Sequence, residues 1–467
     1  MITLRPYQST GIAQIRQAFA DGFKAPLYVS PTGSGKTTVF AYMAESSEKR
    51  GKRILILCHR VELVDQIVER LRQFDVTPEI IAAGYKMGSG RRHLEPRHVA
   101  VASVQTLVRR LDDYPAPTLI AIDEAHHVSQ GSQWSQIIRK YQTARICGFT
   151  ATACRLDGRG LASHFDKMIC GPSVADLTQQ GYLAPARVFA PPTVDTSGLH
   201  IRAGDYKHEE NEALMDTPTI TGDALSHYRK LAPGMQALIF CTSVAHAHHV
   251  AEQFRKADIS ALALDGGTDK ELRRMAVKDF RQGSIKVMAS CDLFSEGFDV
   301  ENVHAGILLR PTQSEGLWRQ QVGRILRPAP GKTHALILDH VNSTMKFGMP
   351  ADPREWTLEG DADRRKKKPA PGIRVCPKCF AASPARASTC VECGTAFEVK
   401  PRQQVEEKEG ELVELTAEQI AKKRERREQG RAQTLDQLRQ IARIKGYNEN
   451  WALKVMEGRQ AKMRKKA

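Results

Sequence analysis

The decamer VSPTGSGKTT at residues 29–38 contains the first residues with a clear chemical potential. Its two glycines allow the unusual backbone angles with which successive N–H groups converge on a phosphate. Lys36 can then reach the β- and γ-phosphates of a nucleotide, and the Thr37 hydroxyl can ligate Mg²⁺. The stretch departs from the pattern G-x-x-x-x-G-K-[ST] at its first position, where Ser30 replaces glycine. Alone, it predicts only that a nucleotide binds.

A pair of acids follows the apolar run TLIAI at 118–122. Asp123 and Glu124 would stand at the carboxyl end of a buried strand, where two carboxylates are costly unless a cation or substrate is near. We therefore expect Asp123 to hold Mg²⁺ through water and Glu124 to polarise the water that attacks a phosphate. The alternative is a solvated acid pair in a loop.

Two arginines lie far downstream in QQVGRILRP, residues 320–328. Arg324 and Arg327 are three residues apart, so they share one face of a predicted helix. Such a pair could meet a γ-phosphate across a cleft and act as arginine fingers. The alternative is a surface helix with ordinary salt bridges.

Two segments of the chain alternate short apolar runs with helical patterns. The runs between residues 27 and 150 are typical of buried parallel strands, and the alternation resumes between residues 237 and 338. Both segments therefore predict doubly wound α/β domains of similar size, with parallel sheets.

Four cysteines follow in the pattern C-x₂-C-x₁₀-C-x₂-C between residues 376 and 393. Each C-x₂-C offers two thiolates to one tetrahedral ion, so the pattern predicts a closed, structural four-sulfur zinc site. Two disulfides or free thiols are the alternative. The other six cysteines are isolated in sequence, which fits reduced core residues in a reducing compartment. The predicted zinc ligands are Cys376, Cys379, Cys390 and Cys393.

The net charge of +16 is unevenly distributed. Residues 364–467 carry 26 Lys and Arg against 13 Asp and Glu, whereas the first 363 residues carry only +3. A basic tail on a nearly neutral body favours a polyanionic partner such as nucleic acid, with a solubilising tail as the alternative. Apolar runs are far shorter than a membrane span, and the N-terminus lacks the pattern of a signal peptide. We expect a cytoplasmic protein without membrane contact.

The ordered motifs resemble those of the superfamily two helicases and translocases of the DEAD/DEAH-box type, over about residues 3–345. SPTGSGKTT resembles motif I, in which serine at the first position is common, and DEAH (123–126) resembles motif II. The remaining matches are LRPYQ (4–8) to the adenine-reading Q motif, HRVELVDQ (59–66) and ASVQTL (102–107) to strand-contact motifs, FTAT (149–152) to motif III, IFCTS (239–243) to motif IV, SCDLFSEGFDV (290–300) to motif V and the QxxGRxxR pattern at 320–327 to motif VI.

This resemblance implies roles for individual residues. The expected catalytic residues are Lys36, Asp123, Glu124, Gln320, Arg324 and Arg327. The expected ATP-binding residues are Arg5, Gln8, Thr32, Gly33, Ser34, Gly35, Lys36, Thr37, Thr38, Gly297 and Asp299. Mg²⁺ would be held by Thr37 and Asp123, and nucleic acid by His59, Arg60, Ser103, Gln105, Thr106, Thr242 and Ser243.

Within the superfamily, GFTATACRLDG and the segment 310–340 look most like the RadD-like DNA-repair helicases. That group also resembles motor subunits of type III restriction enzymes and many phage-encoded helicases. One departure is Ala153-Cys154 after the TAT of motif III, where family members usually have proline. The resemblance implies an ATP-dependent helicase or translocase for repair, recombination or replication. It favours DNA over RNA, a monomer, and single-strand-binding or repair proteins as partners.

Two other functions stay open: an ATP-gated DNA-binding or annealing factor, and the motor of a restriction-type complex. The resemblance also implies the order of domains. We expect two RecA-like lobes in tandem, at 1–170 and 171–345, a basic linker at 346–372, a zinc ribbon at 373–400 and a basic helical tail at 401–467.

Overall fold

The computed structural model describes residues 3–85, 97–155, 158–190, 196, 198–202, 205–291, 300, 302–360, 372–397, 434–448 and 450–464. Within these ranges, no helix is both long enough and apolar enough to span a lipid bilayer. Residues 1–397 form one compact unit, and residues 398–467 form a second unit.

Lobe 1, residues 3–170, contains a seven-stranded sheet in the order β3-β4-β2-β5-β6-β1-β7. All neighbouring strands are parallel. Most strand residues are buried because helices cover both faces, which explains the nearly continuous apolar runs. The strands are β1 (Pro26–Val29), β2 (Ile54–Cys58), β3 (Glu79–Ile81), β4 (Val99–Ser103), β5 (Leu119–Asp123), β6 (Arg145–Thr150) and β7 (Lys167–Cys170); the helices are α1 (Pro6–Ala20), α2 (Lys36–Glu48), α3 (Val61–Arg72), α4 (Val104–Leu107) and α5 (Gln133–Lys140).

Lobe 2, residues 171–347, contains a six-stranded parallel sheet in the order β12-β13-β11-β14-β15-β8. A short antiparallel hairpin, β9 with β10, precedes its main series of helices. The strands are β8 (Ala186–Phe189), β9 (Ile201–Arg202), β10 (Asp205–Tyr206), β11 (Ala237–Phe240), β12 (Ala261–Leu264), β13 (Val287–Ser290), β14 (Ala305–Leu308) and β15 (Ala335–Asp339); the helices are α6 (Val174–Gln179), α7 (His208–Met215), α8 (Pro218–Leu231), α9 (Val244–Lys256), α10 (Lys270–Gln282), α11 (Glu315–Ile325) and α12 (Ser343–Phe347). The two parallel-sheet lobes confirm the predicted fold class.

Residues 348–360, which we call the interlobe strap, leave lobe 2 and pack on lobe 1. Trp356 and Leu358 pack against the core of lobe 1. The Leu358 carbonyl accepts hydrogen bonds from the amides of Leu161 (2.6 Å) and Ala162 (2.9 Å). At its other end, Arg354 bonds the Phe347 carbonyl of lobe 2 at 2.7 Å. Because the strap holds both lobes, their separation is limited by more than the chain connection after β7.

The strap also reaches α11, which carries Arg324 but ends at Ile325, so Arg327 lies in the turn after the helix and not on the predicted shared helical face. The Arg354 Nε atom lies 2.6 Å from a Glu315 carboxylate oxygen at the start of α11. The same oxygen accepts a hydrogen bond from Arg319 Nε at 2.7 Å, one turn further along the helix. A cavity of about 120 Å³ lies between the strap, α11 and the loop after β1. The position of α11 is therefore tied to lobe 1 through the strap.

The cysteine module packs on the edge of lobe 2. Its strands β16 (Ile373–Val375) and β17 (Ala382–Pro384) form an antiparallel pair. The Phe380 carbonyl accepts a hydrogen bond from Ala190 at 2.9 Å, just after the edge strand β8. Arg187 on β8 also binds Glu392, with Nε and Oε1 2.8 Å apart. The module thus shares the hydrophobic core of lobe 2 instead of standing apart from it.

The second unit contains two described helices, α13 (Leu435–Lys445) and α14 (Trp451–Arg464). Thr434 and Gln437 form a capping box at the start of α13. Gly446 ends that helix with a left-handed backbone conformation, which glycine adopts at little cost. Leu438 and Ala452 are buried between the helices, so they form a small hairpin.

The contact of the strap with lobe 1 predicts that Gly160 tolerates no side chain. A Cβ atom there would lie 2.2 Å from both the Glu359 carbonyl carbon and the Leu358 oxygen. We expect Gly160→Ala to displace the strap, to lower the free energy of unfolding by about 1–3 kcal/mol and to speed tryptic cleavage after Arg354. Urea denaturation and timed proteolysis measure both effects.

Gly222 provides the matched control, because an added Cβ atom there meets nothing within 4 Å. Gly222→Ala in α8 should leave stability unchanged or raise it by up to about 1 kcal/mol. If Gly160→Ala has wild-type stability and wild-type resistance to trypsin, the strap does not hold lobe 1 as described.

Candidate nucleotide site between the lobes

The predicted phosphate loop follows β1 and ends at the first residue of α2. Gly33 and Gly35 have φ angles of +88° and +82°, a region that side chains other than glycine rarely adopt. Lys36 is buried, and its Nζ atom donates to the carbonyls of Ser30 (3.0 Å) and Pro31 (3.4 Å). Burial lowers the pKa of Lys36 from its usual value. The ammonium group is therefore held against the loop, at the place where phosphates would bind.

The N-terminal residues of α1 pack directly against this loop. Gln8 is buried; its side-chain oxygen accepts from the Arg5 amide at 3.0 Å and its side-chain nitrogen donates to the Ser34 carbonyl at 3.1 Å. A Cβ atom on Gly35 would lie only 2.5 Å from that nitrogen, so glycine is needed for this approach. One N–H of the Gln8 amide is left over from these bonds, and it could bind an adenine nitrogen.

Two tyrosines beside Gln8 were missed by the sequence analysis. The Tyr7 hydroxyl donates to the Ser34 carbonyl at 2.7 Å. The Tyr182 ring, from the segment joining the lobes, lies 5.3 Å from the Tyr7 ring and 4.5 Å from the Arg5 guanidinium carbon. These contacts place an aromatic and cationic cluster beside the predicted base reader. No sequence signal links Tyr182 to it, because the two segments are far apart in the chain.

The two predicted catalytic acids stand at the end of β5. Asp123 is 6% exposed and accepts a hydrogen bond from the Glu124 amide at 3.1 Å. Burial, followed by the charge of Glu124, raises the pKa of Asp123 to about 7, although Lys36 opposes this shift. Glu124 has a φ of +48°, a strained backbone conformation of the kind found at functional sites. A divalent cation bound beside Thr37 would offset the cost of burying this carboxylate, so the residues fit Mg²⁺.

A buried chain of hydrogen bonds connects motif II to motif VI across the lobes. The Thr150 hydroxyl donates to the Thr152 carbonyl at 2.9 Å, so His126 Nδ1 must be the donor in its 3.0 Å contact with that hydroxyl. In a neutral His126 ring, Nε2 is then the acceptor for the Gln320 side-chain amide, 3.4 Å away on α11. Motifs II, III and VI thus meet in one buried network, as the resemblance implied.

The arginine helix also touches the phosphate loop directly. A Cβ atom on Gly323 would lie 2.4 Å from the Thr32 Cβ atom, so the backbone of α11 packs closely on the Thr32 side chain of the loop. The Arg327 side chain runs past Gly33, where an added Cβ atom would be 3.4 Å from Arg327 Cγ. Burial, followed by the charge of Arg70, lowers the pKa of Arg327 to about 10, which still leaves it charged at neutral pH.

Arg324 is buried, and its charge, like that of Arg327, is near enough to lower the pKa of Lys36. The structure therefore brings the predicted lysine, acids and arginines together at one cleft. Of the predicted nucleotide-binding residues, Gly297 and Asp299 lie outside the described part of the chain.

The predicted nucleic-acid residues of lobe 1 lie at the carboxyl ends of neighbouring strands. His59 and Arg60 follow β2, and Gln105 and Thr106 follow β4. The segment after β2 and the short helix α4 touch, because the Gln105 side chain donates to the His59 carbonyl at 2.7 Å. Gln105 is exposed, so these two segments can contact a nucleic-acid strand.

Three other residues predicted to bind nucleic acid use their side chains for internal hydrogen bonds. The buried Ser103 hydroxyl donates to Thr106 at 2.9 Å. In lobe 2, the Thr242 hydroxyl lies 2.9 Å from His246 Nδ1, and Ser243 caps α9 by accepting from the His246 amide at 3.0 Å. Contacts of these three positions with nucleic acid would therefore come from the backbone rather than the hydroxyl groups.

The four cysteines of the C-x₂-C pairs have the geometry of a closed metal site. Their sulfur atoms all lie within 4.8 Å of one another. The Cys376–Cys393 and Cys379–Cys390 sulfur pairs are each 3.6 Å apart, far longer than a disulfide bond and close to the edge of a tetrahedron of zinc–sulfur bonds. Hydrogen bonds from Thr395 lower the pKa of Cys393 to about 6, which favours the thiolate that binds zinc.

Two protein families match the two lobes. The family described as "Type III restriction enzyme, res subunit" matches residues 1–155, and "Helicase conserved C-terminal domain" matches residues 221–329. A 51.5 kDa protein of a Lactococcus phage (isolate 7-9) is 33% identical over 393 residues, covering 84% of this chain and 82% of the phage protein. The chain belongs to the superfamily two helicases. As a helicase of this class it is an ATP hydrolase, with ATP as substrate and Mg²⁺ as the metal.

Further similarities are to a yeast helicase and to the fold of a restriction-enzyme subunit. The putative ATP-dependent helicase IRC3 of Saccharomyces cerevisiae is 29% identical; the match covers 73% of this chain but only 52% of IRC3. A fragment of a putative HsdR subunit of a type I restriction enzyme from Vibrio vulnificus YJ016 shares the fold, with a TM-score of 0.58, 21% identity, and coverage of 75% of this chain and 66% of the fragment. The match to this chain therefore covers most of the length of the phage protein but only about half of the length of IRC3.

The contact between α11 and the phosphate loop predicts that Gly323→Ala impairs hydrolysis. The added methyl group would push Thr32 and the arginine helix apart, and a shift of about 1 Å can cost about a hundredfold in rate. We expect kcat for ATP hydrolysis to fall at least tenfold in steady-state assays. The matched control is Gly316→Ala on the same helix, where the nearest atom would be at an ordinary 3.5 Å and kcat should stay within about threefold. Equal rates for the two variants would contradict this packing.

Proposed function

We propose that this helicase is a DNA motor, which translocates along one strand and unwinds or remodels DNA during repair, recombination or replication. The observation that carries the proposal is the contact of both lobes with one nucleotide site. Thr32 of lobe 1 packs on Gly323 of lobe 2, and His126 bonds Gln320 across the same cleft. Because the site is built from both lobes, changes at the γ-phosphate would alter how the lobes meet.

The roles we assign to the residues follow from their placement. Lys36 and Thr37 would bind the phosphates and, with Asp123, hold the metal, which screens the charge that develops on the phosphate oxygens. Glu124 would orient the attacking water. Arg324 and Arg327, charged and held at the cleft, would stabilise the transferring phosphoryl group. Loss of the transferred phosphoryl group would remove its contacts with Arg324 and Arg327. The interaction between lobe 1 and α11 would then weaken, and the lobes could separate.

The choice of DNA over RNA rests on similar proteins. The "DNA 3'-5' translocase XPB2" of Sulfurisphaera tokodaii is 24% identical over 377 residues, and the type ISP restriction-modification enzyme LlaBIII, solved bound to DNA, shares the fold with a TM-score of 0.54. RNA helicases also match, among them FAL1 of Meyerozyma guilliermondii at 24% identity. We also propose that the protein acts as a cytoplasmic monomer, with single-strand-binding or repair proteins as partners.

A second candidate is the motor of a restriction-type complex, favoured by the family match of residues 1–155 and by the HsdR-like fold. This role would require a separate nuclease partner. An annealing factor, in which ATP only gates binding, is the third candidate. A forked DNA substrate separates these functions: a motor releases a strand when ATP is supplied, whereas an annealing factor accelerates duplex formation.

The proposal predicts that Lys36→Ala abolishes nucleic-acid-stimulated ATP hydrolysis, because the buried ammonium group is the phosphate-binding charge of the loop. We expect kcat to fall at least a hundredfold while DNA binding without nucleotide is retained. ATPase rates should be measured with single-stranded, duplex and forked DNA and with RNA. Equal rates for Lys36→Ala and wild type would overturn the ATP site, and stimulation by RNA alone would overturn the choice of DNA.

The charge asymmetry predicts a role for the end of the chain in DNA binding. Residues 419–467 carry 15 Lys and Arg against 5 Asp and Glu, and residues 1–397 form a compact unit without them. Removing residues 419–467 should weaken DNA binding and flatten the dependence of log K on log salt concentration, since fewer counterions are released.

The control for this truncation keeps the full length and replaces the five basic residues at 422–427 by glutamine. It should produce a smaller change of slope in the same direction. A salt slope that is unchanged by the truncation would show that the tail does not contact the DNA backbone.

A further inference from the structure

Lys332 lies in the loop between α11 and β15, and its side chain points back at the end of the arginine helix. Its Nζ atom donates to the carbonyls of Val303 (2.6 Å) and Arg327 (2.8 Å) and to that of Ile325. The Lys332 amide also closes a turn by donating to the Ala329 carbonyl at 3.1 Å. All three N–H groups of the ammonium therefore have backbone acceptors.

These acceptors include the last carbonyls of α11 and the turn from which Arg327 projects. The final carbonyls of a helix lack partners within it and carry partial negative charge. Lys332 supplies a positive charge for the carbonyls of Ile325 and Arg327, while the Leu326 carbonyl between them accepts from the Ala184 amide at 2.8 Å. Three successive carbonyls are thus fixed from outside the helix.

The third acceptor ties this turn to the sheet of lobe 2. Val303 lies two residues before β14, so Lys332 connects the backbone of Arg327 to the approach of a central strand. Beyond the turn, the Arg327 side chain passes Gly33 of the phosphate loop. A displaced turn would therefore move the guanidinium group relative to the phosphates.

We propose that Lys332 is a positioning residue for ATP hydrolysis, which fixes the backbone of Arg327 so that its guanidinium group meets the γ-phosphate. The inference rests on the proposed function, in which Arg327 is an arginine finger. Nothing in the motif patterns assigned a role to Lys332, since it lies outside the QxxGRxxR segment.

The burial of Lys332 supports a specific need for its hydrogen-bond donors. Burial lowers the pKa of this lysine to about 7. The Arg187 guanidinium group and the His334 ring, whose pKa is lowered by burial, lie on the same side of lobe 2, with Glu392 of the cysteine module near them. An apolar side chain would avoid the cost of burying an ammonium group, but it could not bind the three carbonyls.

The test is a double-mutant cycle on the full-length protein, with kcat and KM for ATP measured at saturating DNA. Lys332→Met keeps the length of the side chain and removes its donors, and we expect kcat to fall at least tenfold while KM changes by less than about threefold. Lys332→Arg retains the charge and several donors, so it should recover part of the lost rate. Lys230→Met, at an exposed position of α8, is the matched control and should have wild-type kcat.

The second arm of the cycle shows whether Lys332 acts through Arg327. In an Arg327→Ala background, Lys332→Met should lower kcat by less than about twofold further, because the group that it positions is gone. Circular dichroism and zinc content of each variant identify the folded fraction, to which the rates are normalised. A full tenfold loss in the Arg327→Ala background, or wild-type kcat for folded Lys332→Met, would overturn the inference.

The cycle also separates this inference from the proposed function. If Arg327→Ala alone retains wild-type kcat, the arginine-finger role fails, and the inference fails with it. If Arg327→Ala loses its rate and the two changes are additive, Arg327 keeps its role and only the positioning role of Lys332 is lost.

Discussion

The structure depends on one close contact, in which Gly323 on α11 meets Thr32 of the phosphate loop with no room for another side-chain atom. This contact lets two arginines of lobe 2 approach a lysine and two acids of lobe 1. Through this contact, residues from the large sheets of lobes 1 and 2 line the same candidate nucleotide site. A catalytic group carried on a second body is useful only if that body is held to within about an ångström, so the surrounding structure must fix α11 with matching accuracy.

Both ends of α11 are held by residues outside the recognised motifs. At its start, Glu315 binds Arg354 of the interlobe strap, and the strap then bonds to lobe 1 through the Leu358 carbonyl. At its end, Lys332 and the Ala184 amide bind the last carbonyls. The helix is therefore connected to lobe 1 at one end and to lobe 2 at the other. Such an element is well placed to convert a change at the γ-phosphate into a change in the angle between the lobes.

The sequence predicted the parts of this site that are local, and it missed the parts that depend on distant contacts. The phosphate loop, the acids at the end of β5 and the arginines at the end of α11 and just after it follow from residue types at fixed spacing. Tyr182 and the strap residue Leu358 have no such pattern, because each acquires its role from a segment more than 150 residues away in the chain. The same holds for the cysteine module: its spacing predicted four sulfurs around one ion, but only the fold shows Arg187 binding Glu392 and the module sharing the core of lobe 2.

The network from Thr150 through His126 to Gln320 gives the cleft an energetic preference that packing alone would not supply. A separation of the lobes would break the hydrogen bond between the Gln320 amide and His126 Nε2. A buried polar group left without a partner costs about 1–3 kcal/mol of free energy. Water must therefore enter as the cleft opens, or the opening is resisted. The closed state with these bonds and an open, hydrated state would then be two discrete arrangements of the same residues. Since Gln320 is on the helix that carries Arg324 and precedes the turn of Arg327, the helix could not leave the phosphate loop without breaking this network as well, and an opening of the lobes would be cooperative.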